Sequence, residues 1–196
     1  MKKQIKNSHR AFIAITFLSM LSIMASCQQR KEPNKNATVS ETRVKPPKMD
    51  IHTAVMTGNM EALKQHIAAK SNLNEKDPFG GSSPLISASL FGKTEMAKLL
   101  IEAGADLNFK NNDGSTALHT ASFFCRPEIV KMLLDKRADK TIKNKYGQNA
   151  YETVAGPFAA VKASYDGLGK MLEPMGLKLD YAYLEKTRPE IAAMLK

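Results

Sequence analysis

Cysteine is nearly absent from these 196 residues, which carry only Cys27 and Cys125. No Cys/His spacing of the zinc-binding kind occurs, and neither a calcium loop nor a nucleophile elbow is present. The apolar run 11–25 has 15 residues, short of the roughly 20 that a membrane-crossing helix needs. A phosphate-binding loop is also missing: Gly92-Lys93-Thr94 has its tail, but position 87 is Ser where a Gly is required. Gly92 ends a helix in this reading, whereas a phosphate loop leads from a strand into one. Gly167-Leu168-Gly169 lacks the rest of a dinucleotide fingerprint. These gaps point away from an enzyme and give no reason to expect a cofactor or metal.

What the sequence does have is an internal period. Residues 81–113 and 114–146 are near-copies in which equivalent residues sit 33 apart. Gly81, Ser83, Pro84, Leu85, Ala88, Glu95 and Leu100 of one answer to Gly114, Thr116, Ala117, Leu118, Ala121, Glu128 and Leu133 of the other. Ser83 and Thr116 are suited to cap a short helix, and Pro84 to open it. Gly92 can take the left-handed conformation that stops it. Glu95 and Glu128 then favour the start of a second helix, where Met96, Leu99, Leu100 and Ile129, Met132, Leu133 recur at helical spacing. Residues 111–114 carry the chemistry of a hairpin tip. A fixed period of this length reads as a stack of helical units that cannot bury both faces alone. With Ser83-Pro84-Leu85-Ile86 and Thr116-Ala117-Leu118-His119 at the helix starts, the unit closely resembles the ankyrin repeat. The resemblance implies an all-α solenoid of helix-turn-helix units with hairpin loops.

Residues 50–80 read as a degenerate capping repeat. Ile51-His52, Gly58, Glu61 and Leu73-Asn74 match the next unit at an offset of 34, with Gln65 and His66 in place of Leu99 and Leu100, polar residues expected on the outer side of a terminal repeat. Residues 147–196 read as a last repeat interrupted by an insert. Thr187-Arg188-Pro189-Glu190-Ile191 echoes Arg126-Pro127-Glu128-Ile129 62 residues later, 29 more than the period allows. The insert, about 156–186, predicts a helix over 158–172, where Val161, Tyr165, Leu168 and Leu172 keep helical spacing. A second helix is predicted from Asp180, and a final one over 188–196. The expectation is four repeats within one domain, 50–196.

Ahead of that domain, residues 1–26 have the basic start and short apolar core of a signal peptide. Ile23-Met24-Ala25-Ser26-Cys27 resembles a bacterial lipobox, which implies an acylated Cys27 as the mature N-terminus. Lipoproteins of this kind carry several acyl chains, palmitate among them, and several together hold a membrane firmly. Gln28, by the sorting rule of enteric bacteria, implies the periplasmic face of the outer membrane. Residues 27–49 then form a polar, Pro-containing linker. Of the net charge of +10, the first 27 residues hold +4, residues 28–49 another +4, and 50–196 only +2. Nucleic-acid binding thereby loses its main support. The basic linker suits either anionic headgroups or a soluble tether.

Glu61, Glu95, Glu128 and Glu190 recur because each opens a helix, so they are not an acid–base pair. The resemblance gives His52 and His119 a bracing role toward the next hairpin. Cys125 takes the place of Gly58 and Gly92, where φ is expected to be positive. With Cys27 acylated it has no disulfide partner. It is either a tolerated turn residue or the centre of a redox-responsive protein. Ankyrin stacks bind proteins through first-helix positions and hairpin tips. By alignment these are Met56, Leu90, Phe91, Phe123 and Phe124 on the helices, and Phe79, Gly80, Asn112, Asp113, Lys145 and Tyr146 at the tips. The aromatics would form an apolar patch unless the insert folds back over it, and both arrangements remain open. The functional expectation is a monomeric, lipid-anchored, non-catalytic module of the bacterial envelope that binds a periplasmic or membrane-associated protein.

Overall fold

The computed structural model of the chain describes residues 44–196. Residues 1–43, on which the expected signal peptide, the Cys27 lipidation site and most of the expected linker fall, lie outside the described residues. Eight α-helices follow: α1 (Ile51–Thr57), α2 (Met60–Ala68), α3 (Pro84–Leu90), α4 (Thr94–Glu102), α5 (Ala117–Phe123), α6 (Pro127–Asp135), α7 (Phe158–Leu172) and α8 (Tyr181–Leu195). No strand occurs among the described residues. Each first helix starts where a side-chain oxygen meets an open backbone N–H. The N–H of Thr53 donates to Asp50 at 2.9 Å, and that of Ile86 to Ser83 at 3.3 Å. Each stops at a left-handed residue: Gly58 (φ 75°), Gly92 (φ 64°) and Cys125 (φ 52°). The next N–H then turns back into the helix, Asn59 to Ala54 at 2.8 Å, Lys93 to Ala88 at 2.9 Å and Arg126 to Ala121 at 2.8 Å.

The short first helices α1, α3 and α5 pack side by side as an inner layer. Helices α2, α4 and α6 form the outer layer, and α8 continues it against α6 while also touching α5. One core runs between the layers, through Val55, Leu63, Leu85, Leu100, Leu118, Ile129, Val130, Leu133 and Ile191, all fully buried. Each such side chain contributes about 2 kcal/mol. Because every unit lends one face to its neighbour, the stack is stable only as a whole.

Three local expectations give way. His66, read as a polar residue on the outside of the capping repeat, is buried, with Nε2 2.8 Å from the Met49 carbonyl and Nδ1 3.0 Å from Ser71 Oγ. It fills the place of buried Leu100, and both ring nitrogens are satisfied there; Gln65 alone faces out. The last unit has no first α-helix. Asn149 and Glu152 cap one another reciprocally, at 2.9 and 2.7 Å, but only a turn follows before Gly156-Pro157 breaks it. The separate helices expected from Asp180 and over 188–196 are one. Asp180 caps α8 through the N–H of Tyr183 at 3.0 Å, and the helix runs through Pro189. A start motif at position 188 is thus overridden by a better cap upstream, at the loss of the single bond that Pro189 cannot donate.

His119 links two units. Its Nδ1 accepts from the Thr116 N–H at 3.2 Å while its own N–H meets Thr116 Oγ1, closing a capping box. Its Nε2 sits 3.1 Å from the carbonyl of Gln148 on the following hairpin. His52 reaches the Glu75 carbonyl at 3.0 Å in the same manner. Burial pushes the His119 pKa below its ordinary 6.5, with the nearby Lys110 charge adding to this, despite opposing carbonyl bonds. The folded state therefore binds a proton less readily than the unfolded chain, so stability is full above pH 6.5 and declines as pH falls below it. Thermal midpoints measured from pH 8 down to pH 5 are expected to drop below 6.5. In His119→Gln this portion of the decline should vanish, and an unchanged slope would contradict the assignment.

Candidate functional site

The hairpin tips are built from one device used three times. Asp77 accepts from the N–H groups of Phe79 (2.8 Å), Gly80 (2.8 Å) and Ser82 (2.6 Å). Asn111 does so from Asp113 (3.0 Å) and Ser115 (2.8 Å), and Asn144 from Tyr146 (3.0 Å) and Gln148 (3.1 Å). Partial burial raises the Asp77 pKa, but the three donors outweigh it and hold the carboxyl below its usual range. Successive tips are joined by their backbones, Asn112 N–H to Gly80 at 2.9 Å and Lys145 N–H to Asp113 at 2.8 Å. Gly81 takes the left-handed conformation in this row, where a Cβ would also crowd the Asn112 side chain. Its φ is 66°, and a Cβ there would lie 2.3 Å from the Asn112 side-chain oxygen.

The tip residues singled out by alignment are where a partner could reach them. Phe79 is 86% exposed and Tyr146 73%, and Asn112, Asp113 and Lys145 are also exposed. Gly80 is half-buried beneath them, and Met56 on α1 is half-buried as well.

The four other helix residues do not form an open patch. The insert folds back over Leu90, Phe91, Phe123 and Phe124, which decides between the two arrangements. Tyr165 of α7, 0% exposed, stacks on Phe123 with ring centres 4.4 Å apart and planes at 23°. It also meets Phe124 edge-on at 6.3 Å and Phe158 at 5.6 Å. Leu168, Leu172, Leu177 and Leu179 close over Leu90, Phe91 and Phe124. The repeat period places residues on a face; it does not say what lies on top of that face.

The contact is fastened by a polar clasp. The Tyr165 hydroxyl donates a short bond to the Phe123 carbonyl and accepts from Arg188 Nη1 at 3.0 Å. Arg188 Nη2 donates to the carbonyls of Thr153 and Gly156, both at 3.2 Å. Arg188 is 2% exposed, and among the described residues no carboxylate bonds to it and its Nε has no partner. Burial pushes the Tyr165 pKa up to about 12 although the Arg188 charge opposes it. The preceding unit shows where this arrangement comes from. Arg126, the counterpart of Arg188, lies over Gly92 and donates from Nη2 directly to the Leu90 carbonyl at 3.3 Å. Leu90 is the counterpart of Phe123, so the insert has placed a tyrosine hydroxyl between arginine and carbonyl. The Arg-Pro-Glu-Ile echo held this signal; the role of Tyr165 had none beyond its helical spacing.

Cys125 is buried, with Sγ 3.7 Å from the Leu184 carbonyl. Burial pushes its pKa up to about 11, even with Arg188 and Arg126 nearby. A thiol kept protonated and away from solvent is the opposite of what redox sensing requires. The left-handed turn, expected from its place in the repeat, is present.

Residues 51–144 match the family described as ankyrin repeats (3 copies). Human DNA-binding protein RFXANK is 40% identical over 58 residues, which is 30% of this chain and 22% of that protein. Human protein phosphatase 1 regulatory subunit 27 is 34% identical over 64 residues, 33% of this chain and 41% of that one. Among solved structures, the ankyrin repeat domain of Bcl-3, described as a unique member of the IkappaB protein family, is similar with a TM-score of 0.51 and 30% identity. That match covers 53% of this chain and 45% of the other. The chain thus spans less than half the length of these relatives.

The clasp makes separable predictions. Tyr165→Ala removes a fully buried ring and should cost about 3–5 kcal/mol in urea unfolding. It should also raise anilinonaphthalene sulfonate fluorescence as the aromatics beneath are uncovered. Tyr165→Phe keeps the ring and should cost only about 1–2 kcal/mol. Equal costs would mean that the stacking carries no weight.

Proposed function

We propose, for a chain whose residues 51–144 are ankyrin repeats, that it is a non-catalytic protein-binding module, lipid-anchored through Cys27 in a bacterial envelope. Its partner is a periplasmic or membrane-associated protein, and it works as a monomer on the periplasmic face of the outer membrane. The observation that carries the binding reading is the braced row of hairpin tips. Phe79 and Tyr146 stand out from it as large exposed rings, the kind of side chain that anchors interfaces. Similar proteins are named for regulation or binding rather than for a reaction. With the insert seated on Leu90, Phe91, Phe123 and Phe124, the binding surface is the tip row and not the inner helices. Anchoring rests on the lipobox resemblance ending at Cys27 and on the basic, short apolar leader before it.

Two experiments test the parts separately. Purified from solubilised membranes, the mature chain should carry a stoichiometric protein partner whose affinity falls about tenfold or more in Phe79→Ala/Tyr146→Ala. Retention unchanged in that variant would remove the tip row from the interface. In detergent phase partition, the native chain should enter the detergent phase and Cys27→Ser should stay aqueous or uncleaved. A native chain in the aqueous phase would remove the anchor.

A further inference from the structure

The tip row is not electrically uniform. Residues 136–145, running from the end of α6 to the third tip, carry Lys136, Arg137, Lys140, Lys143 and Lys145 against Asp139 alone, a net +4. The same stretch of the preceding unit, 103–112, holds Asp106 and Lys110 and sums to zero. So does that of the first unit, 69–78, with Lys70, Lys76, Glu75 and Asp77. The excess arises where Ala103, Gly104, Leu107 and Asn112 are answered by Lys136, Arg137, Lys140 and Lys145.

Part of the excess has a local use. Lys140 Nζ caps the end of α8 through the main-chain oxygens of Leu195 (3.2 Å) and Lys196 (2.9 Å). Lys136 and Arg137 follow the C-terminus of α6, where cations are favoured. Helix electrostatics do not reach Lys145, which lies out on the hairpin close to Lys143, a lysine that every unit has (Lys76, Lys110, Lys143). The ion pairs found among the described residues, Lys131–Asp135 and Lys162–Asp166, involve none of these cations. Lys136, Arg137, Lys143 and Lys145 are all exposed, and Tyr146 stands beside Lys145 at the tip. Asp139 is exposed as well, its carboxylate accepting from the N–H and hydroxyl of Thr141 at 2.8 and 2.6 Å.

We propose that the third hairpin is the docking site for an acidic segment of the partner protein, with carboxylates meeting Lys143 and Lys145 and an apolar side chain meeting Tyr146. This rests on the protein-binding reading and names the chemistry of the partner. The small extent of the charge selects a protein segment over a nucleic acid or a membrane. Those present long anionic surfaces and call for a broad basic face. Here the basic region is one hairpin wide, and its neighbouring tip bears the exposed Asp113.

The test uses the full mature chain with fluorescein-labelled polyglutamate, and with phosphatidylglycerol vesicles and duplex DNA as competing probes. Polyglutamate should bind at low salt and be released near 1 M salt, where the screening length falls to about 3 Å. Lys143→Glu/Lys145→Glu should weaken it about tenfold or more, and Lys143→Gln/Lys145→Gln by a smaller factor. Lys70→Glu/Lys76→Glu, two units away, should leave it unchanged. No polyglutamate binding, equal binding by the hairpin variants, or stronger hairpin-dependent binding to vesicles or DNA would each overturn the assignment. A chain that retains its membrane partner through Phe79 and Tyr146 yet ignores polyglutamate would refute the acidic segment while leaving the binding module standing.

Discussion

No unit of this stack can cover its own apolar surface. Helices of seven and nine residues are too short to stand alone in water, so each pair exists because another pair is pressed against it. The backbone repeats the dependence in polar form. Asp106 N–H reaches Asn74 Oδ1 and Asp139 N–H reaches Asn108 Oδ1, each at 2.9 Å and each one unit back. Where the next unit would offer an asparagine, the chain has Thr141, and the ladder ends. The fourth unit follows, from residue 147, and is the one that fails to complete its first helix. The insert and α8 then supply the cover that a regular repeat would have given.

That substitution explains the least comfortable residue in the domain. A guanidinium buried without a carboxylate has lost its hydration, a penalty of several kcal/mol that three neutral oxygens offset only in part. Arg188 occupies a position where the repeat already uses an arginine to reach back to the previous first helix, as Arg126 does to Leu90. Once Tyr165 covered Phe123, the same reach met a hydroxyl and two carbonyls of the broken turn. One side chain now ties α8 to α7 and to residues 153–156.

Much of this was legible in the sequence because repetition samples each position several times. Gly58, Gly92 and Cys125 define one left-handed turn, and a cysteine there could be assigned its backbone before its surroundings were known. The helix over 158–172 was legible from spacing alone. What could not be read is what occurs once. Whether Phe123 faces water or Tyr165 depends on a packing event between residues 42 apart that no other unit repeats. His66 looked like an outward polar residue because its type was read before its place; its place is that of Leu100, and place decided. Pro189 looked like a helix start because in α6 the same motif is one, and only the cap at Asp180 shows otherwise.

The insert also changes how such a domain can bind. A partner lying along the inner helices would gain a wide apolar contact, and here that contact is spent internally on α7. What remains is an edge of rigid tips. An edge buries less area than the roughly 800 Å² per partner of a standard interface. Affinity at such a surface must come from a few well-placed groups, and the tips have them in two rings and one charged hairpin. Rigidity helps, since side chains carried on backbones already bonded to each other lose little freedom on binding. Anchoring of the kind proposed at Cys27 would do the rest, because confining a modest binder beside its partner raises its effective concentration without any new contact. A narrow, charged edge and a membrane tether are therefore complementary: each supplies what the other leaves short.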